Sequence, residues 1–259
     1  MLGFRIFFKG IRNIWEEMLP LGAMSFVTFL ALALAPLLVW AVLQFQLPLV
    51  LLVLAVPLAL PGPPAWYALH VVAQRVANGF AIRWDHFWEA FRPWFGKVWA
   101  YSAVSAAIFG LALFNGVFYA NQFPDAGWST WAAGAWLAVG VLWLALQLYV
   151  IPYFIEQEQK RWRTALRNAF LTLGAHPLMT LILLVLTVIV LVISILIVPP
   201  MFVVYGPIWW VMMGTTAVTH VVAEFRKAQP ATEPGVEVTP EAAEDPAALV
   251  AKYKNRGIQ

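Results

Sequence analysis

Four histidines, 13 carboxylates and no cysteine form the acid–base, metal-binding and nucleophilic repertoire of this 259-residue chain. Without cysteine there is no thiolate nucleophile, no disulfide and no thiolate-held metal. The sequence has no G-x-S-x-G, no H-E-x-x-H and no glycine-rich phosphate loop. No catalytic residue, no metal ligand and no cofactor is therefore expected. His86 and His176 fall in polar segments and read as solvated or interfacial. His70 and His220 sit in apolar surroundings, one or two helical turns from Arg75 and Arg226. Ionisable groups inside a membrane are often functional, so an axial pair for a haem, a pigment site or a proton site is the sharp reading of these two. The plain reading is a pair of interface-depth histidines bonded to backbone or phosphate.

Fourteen tryptophans invite an aromatic binding platform. Trp15, Trp84, Trp88, Trp94, Trp99, Trp128, Trp131 and Trp162 fall at the ends of apolar stretches, where an aromatic belt accounts for them. Trp66, Trp209 and Trp210 are different. They follow Leu60-Pro61-Gly62-Pro63-Pro64 and Tyr205-Gly206-Pro207, both inside apolar stretches. Proline there frees carbonyls that lipid cannot bond, so helix breaks are expected at Gly62, Pro63 and Pro64 and again at Gly206 and Pro207. Were the two breaks to converge, Trp66, Tyr67, Trp209 and Trp210 would line a small aromatic cavity for a neutral solute. His70 would lie one turn further along. Matched breaks can mark a transporter site; the competing account is proline bends that improve packing. Asn115, Gln147, Thr215, Thr216 and Thr219 could line such a cavity or make ordinary interhelical bonds.

The elements that must carry these residues follow from composition. Hydrophobic residues make up 62% of the chain and charged ones 11%, which a water-soluble fold of this length cannot accommodate. Disordered, collagen-like and nucleic-acid-binding chains are excluded on the same numbers. Six stretches reach the roughly 20 apolar residues that a helical span needs. They run from Leu21 to Leu43, Leu49 to Ala73, Ala100 to Ala120, Trp131 to Ile151, Leu178 to Val198 and Met201 to Val222, with no Asp, Glu, Lys or Arg in any of them. All 16 Lys and Arg fall before span one, between spans two and three, between four and five, or after six. The opposite side carries only Asp125. The positive-inside rule then puts both termini of a multi-pass membrane protein on the cytoplasmic side. The A-x-A spacings at Ala31, Ala33 and Ala35 do not make a signal peptide, because the apolar stretch is too long for one.

A short amphipathic segment precedes each odd-numbered span. The first sets Phe4, Phe7, Phe8, Ile11, Ile14, Trp15 and Met18 against Arg5, Lys9, Arg12 and Glu16. The second sets Trp84, Phe87, Trp88 and Phe91 against Asp85, Glu89 and Arg92. The third sets Trp162, Ala165, Leu166, Ala169, Phe170 and Leu173 against Arg163, Arg167 and Asn168. The spacing is that of one-sided helices lying in the headgroup region, in contact with membrane lipid. The fold class is thus all-α, with six transmembrane helices in three units of interfacial helix plus hairpin. Residues 1–18 form the first interfacial helix. A membrane domain over 19–227 contains the others near 84–92 and 160–173, and 228–259 form an acidic, proline-containing flexible tail with one marginal helix from Pro246 to Tyr253.

Gly62-Pro63-Pro64-Ala65-Trp66-Tyr67-Ala68-Leu69, Phe87-Trp88-Glu89-Ala90-Phe91-Arg92-Pro93-Trp94-Phe95 and Tyr205-Gly206-Pro207 resemble the corresponding signatures of the YesL-like family of small bacterial membrane proteins. The resemblance covers roughly residues 10–225; the doubled proline and Pro93-Trp94 depart from it. The family has no settled biochemical activity; the resemblance implies an association with carbohydrate uptake, beside a sugar transporter complex, and offers no catalytic residue to carry over. Three classes stay open. One is a non-enzymatic accessory or regulatory membrane protein. Another is a small neutral-solute transporter or channel with a cavity between spans two and six. The third is an intramembrane cofactor protein built on His70 and His220.

Overall fold

The computed structural model describes residues 2–123 and 125–228. The expected tail over 229–259, with its helix from Pro246 to Tyr253, lies outside the described residues. Residues 2–221 belong to one compact unit; 222 onward belongs to a second, of which only the end of the last helix is described. Every regular element among the described residues is helical. Three short helices, α1 (Leu2–Glu16), α5 (Trp84–Phe91) and α8 (Trp162–Ala175), each precede a hairpin. The hairpins are α2 (Met18–Gln44) with α3 (Ala55–Ala59) and α4 (Gly62–Ala77), α6 (Phe95–Gln122) with α7 (Gly127–Glu156), and α9 (Pro177–Ile197) with α10 (Pro199–Ala228). A 3₁₀ turn over Leu49–Leu54 leads into α3, so the second span is a composite of three pieces.

Six helical stretches are long and apolar enough to cross a membrane. Most overrun the apolar stretches by several residues, because helix hydrogen bonding continues into the interface after hydropathy falls. Large side chains such as Leu37, Phe114, Val117, Leu196 and Ile197 are exposed on the outer helices. Lipid tails are the solvent these faces require.

The three units follow one another with the same joints. The later part of each hairpin is tied to the first helix of the next by a hydrogen bond. Trp99 Nε1 of α6 donates to Leu60 O beside α4 at 2.9 Å. Tyr149 of α7 and Thr180 of α9 share a hydroxyl bond of 2.8 Å. Ile208 N–H of α10 donates to Ser25 Oγ of α2 at 3.2 Å, which closes the series on itself. The short helices obey the same rule. Each packs on the preceding unit: α5 on α4, α8 on α7 and α1 on α9. Phe7 of α1 also stacks on Trp209 of α10, with ring centroids 6.4 Å apart.

Close approach fixes two contacts of α10. A Cβ at Gly214 of α10 would lie 1.9 Å from Leu148 O of α7, so only glycine allows that crossing. A Cβ at Gly22 would lie 2.9 Å from the Tyr205 ring. Leu69, Tyr149, Phe154, Ile208, Met212 and Met213 are fully buried and fill the interior among α4, α7 and α10. Gln74 Nε2 of α4 donates to Glu156 Oε1 at the end of α7 at 2.6 Å. Just beyond, Lys160 Nζ donates to Ile155 O. Partial burial holds the Lys160 ammonium below the usual lysine pKa, and nearby Glu156 offsets part of that shift.

Candidate functional site

The proline cluster of span two is a gap in hydrogen bonding more than a change of direction. Leu60 and Pro61 keep right-handed helical dihedrals between α3 and α4. Pro61, Pro63 and Pro64 have no N–H, so the carbonyls four residues earlier lose their helical partners. Leu60 O, which an N–H at position 64 would have bonded, takes the Trp99 indole instead. Gly62 is needed for the fit against α2: a Cβ there would lie 3.1 Å from Ala31 O. The expected second break does not form. α10 continues through buried Gly206 and Pro207 as one helix, and Ile208 N–H, next in line, is held by Ser25. A neighbouring hydroxyl lets the helix carry its proline without interruption.

Trp66 lines a cavity of about 280 Å³ between α4, α6 and α7, together with Tyr101, Ser102, Ser105, Phe109, Trp143 and Gln147. Its walls are aromatic, and its polar groups are one amide and a few hydroxyls. Tyr101 Oη donates to Gln147 Oε1 at 2.6 Å. Trp143 Nε1 donates to Ser105 Oγ at 3.0 Å. The other end of the Gln147 amide, Nε2, is buried with no hydrogen-bond partner among the described residues. Burying such a donor unpaired is costly in a membrane. None of the described lining residues is charged. A second hollow of about 260 Å³ lies at the span-two gap, between Ala31, Pro36, Gly62, Pro63 and Trp99. The two hollows share Ser102 and Ala106.

The back wall is an aromatic stack. Trp162, the first residue of α8, lies between Tyr101 at 4.1 Å and Phe154 at 3.7 Å, nearly parallel to both. Its Nε1 donates to Lys97 O at 3.1 Å. Trp94 and Tyr67 both meet Phe154 edge-on. Thus Trp162, expected in an aromatic belt, is a wedge that locks α8 against α6 and α7 and holds the Tyr101 ring in place.

The other expected site residues have different neighbours. Tyr67 is buried against Phe154. His70 is fully buried; its Nδ1 bonds Trp66 O at 2.9 Å and its ring meets the Trp66 ring edge-on at 5.2 Å. Its Nε2 has no hydrogen-bond partner among the described residues. Trp209 is half-buried against Phe7 of α1, and Trp210 is half-buried on α10. His220 lines a cleft beside α1. Asn115 returns its amide to Leu111 O, and Thr219 returns its hydroxyl to Thr215 O, both one turn back. His86, expected to be solvated or interfacial, is partly exposed and accepts the Arg83 N–H at the start of α5. Of the residues marked out in the sequence, Trp66 and Gln147 meet in one cavity. Tyr101, Ser102, Ser105 and Trp143 were missed. Their signal was polar or amphipathic residues at one-face spacing inside otherwise apolar spans.

No family model matches the chain, and neither a curated protein nor a solved structure matches it.

Proposed function

We propose that this multi-pass membrane protein acts by binding rather than by catalysis, as an accessory or regulatory component linked to carbohydrate uptake. The observation that carries the reading is the uncharged cavity of α4, α6 and α7. Aromatic faces beside an unpaired amide and several hydroxyls suit a neutral, hydroxyl-rich molecule. The resemblance to the YesL-like family supports the same direction. Large side chains fill the space among α4, α7 and α10, and each joint between units is bonded, which favours a receptor over a conduit. The distribution of Lys and Arg supports a cytoplasmic side for both termini, and the resemblance supports a bacterial cytoplasmic membrane.

Binding and transport are separated by one pair of measurements on reconstituted protein. Neutral mono- and disaccharides should quench tryptophan emission saturably, Gln147→Leu should abolish the effect, and no radiolabelled sugar should accumulate in proteoliposomes. Sugar flux that Gln147→Leu removes would establish the transporter reading instead. That alternative draws on the two hollows that share Ser102 and Ala106 at the span-two gap. Orientation has its own test. Single cysteines at Gln122 and Glu158, in a chain without others, should label from opposite faces of sealed cells; equal labelling of both would reject the topology.

A further inference from the structure

Helix α1 presents three faces, where its sequence pattern showed two. At about 100° per residue, Gly3, Ile6, Phe7, Gly10, Asn13 and Ile14 fall on one side, and all six are buried. The apolar residues left over form a second strip. Phe4, Phe8 and Trp15 are 43%, 64% and 74% exposed. They share one side of the helix with Ile11 and form an outward aromatic strip. Arg5, Lys9 and Arg12 follow on the third side at i, i+4 and i+7. An open cleft of about 730 Å³ runs along this edge, lined by Phe4, Phe8, Arg5, Lys9, Arg12 and, from α10, His220. Apolar and basic strips therefore border the same cleft. The adjacent carboxylate is Glu16, 3.4 Å from Arg12, with both side chains well exposed. The His220 ring makes an interaction of its own and enters here only as a wall.

We infer that this cleft is a binding site for the phosphate headgroup of an anionic phospholipid. The side-by-side strips are the observation that selects a lipid over a free anion. A phosphate held by Arg5 and Lys9 would lie next to Phe4 and Phe8, where its acyl chains need apolar cover. Arginine and lysine favour that phosphate by charge-assisted hydrogen bonds, and each basic residue near an anionic surface strengthens binding by roughly fivefold. The inference is independent of the cavity between α4, α6 and α7, since the two sites share no residue. It gives the first unit a role beyond packing: α1 anchors the ring to the charge of the leaflet it lies in.

The test is native mass spectrometry of the full chain, released from micelles doped with equal amounts of phosphatidylglycerol and phosphatidylcholine. The chain should retain phosphatidylglycerol preferentially. Arg5→Gln with Lys9→Gln should cut that retention roughly twentyfold with no change in thermal midpoint. Glu16→Gln, which removes the competing carboxylate and releases Arg12, should increase it. A double variant that keeps the preference would overturn the proposal. Equal retention of the two lipids, or complete displacement of phosphatidylglycerol by inorganic phosphate at matched ionic strength, would also reject a lipid site.

Discussion

Trp99 and Trp131 look alike in the sequence, both at the edge of an apolar stretch, and they have different tasks. Trp131 is 82% exposed, and an aromatic belt is a sufficient account of it. Trp99 supplies the hydrogen bond that Pro64 cannot give to Leu60 O. Interhelical hydrogen bonds within membranes are worth about 0.6 kcal/mol on average and up to about 1.7. Trp99→Phe should therefore lower unfolding free energy by about 1 kcal/mol in a mild-detergent denaturation series, while Trp131→Phe should leave it unchanged. In a Pro64→Ala background the helix regains its own N–H, and the cost of Trp99→Phe should shrink. A double-mutant cycle with zero coupling would refute this account of the gap. The sequence showed that carbonyls would be freed near Pro61 to Pro64, because proline chemistry is local. Which group would satisfy them depended on a helix 39 residues further along, and no local pattern encodes that. The cavity was half legible for the same reason. Gln147 stood out as a polar residue in an apolar span, but its partner Tyr101 read as ordinary span composition.

Among the helices, glycine decides the approach of α7 and α10. The Gly214 Cα faces Leu148 O with no room for a methyl group, and a backbone carbonyl cannot move aside as a side-chain tip can. Gly214→Ala would have to force the two helices apart, separating the buried layer of Met212, Met213, Leu148 and Phe154. A loss of about 3 kcal/mol or more is expected, on the scale of severe overpacking. Gly134 is the control within α7. It has nothing within 4 Å of an added Cβ, so Gly134→Ala should be neutral or slightly stabilising through helix propensity. Fluorescence-detected size exclusion after a temperature ramp would compare the two, and equal midpoints would contradict the crossing. At this scale the sequence was informative about every helix. Six apolar stretches and three amphipathic segments were readable because length and periodicity are properties of single elements. Gly206-Pro207 was misread as a break because the signal for one, a proline in an apolar helix, does not reveal the Ser25 hydroxyl that holds the helix together there.

The whole membrane unit closes on itself, and closure makes the first helix structurally important. In an open stack, α1 would be an end piece whose loss frays one edge. Here α1 covers Met179 and Ile182 of α9 at Gly3 and Met213 of α10 at Gly10, just as α5 covers α4 and α8 covers α7. Ser25 of α2 meets α10 across 183 residues of sequence, so the last joint ties the first unit to the third. A closed ring distributes the loss of any one joint over all three, and its unfolding should be a single cooperative transition. Deleting residues 2–16 should remove that cooperativity. It uncovers apolar surface on α9 and α10 together, next to the joint that Ser25 already spans. The expected result is a broadened thermal transition at lower temperature, with early hydrogen exchange in both α9 and α10. Ser25→Ala should act in the same direction more weakly, by about 1 kcal/mol, without local fraying. If the truncated chain kept the full-length midpoint and exchange were confined to the first residues of α2, the units would form an open stack and the ring account would fall.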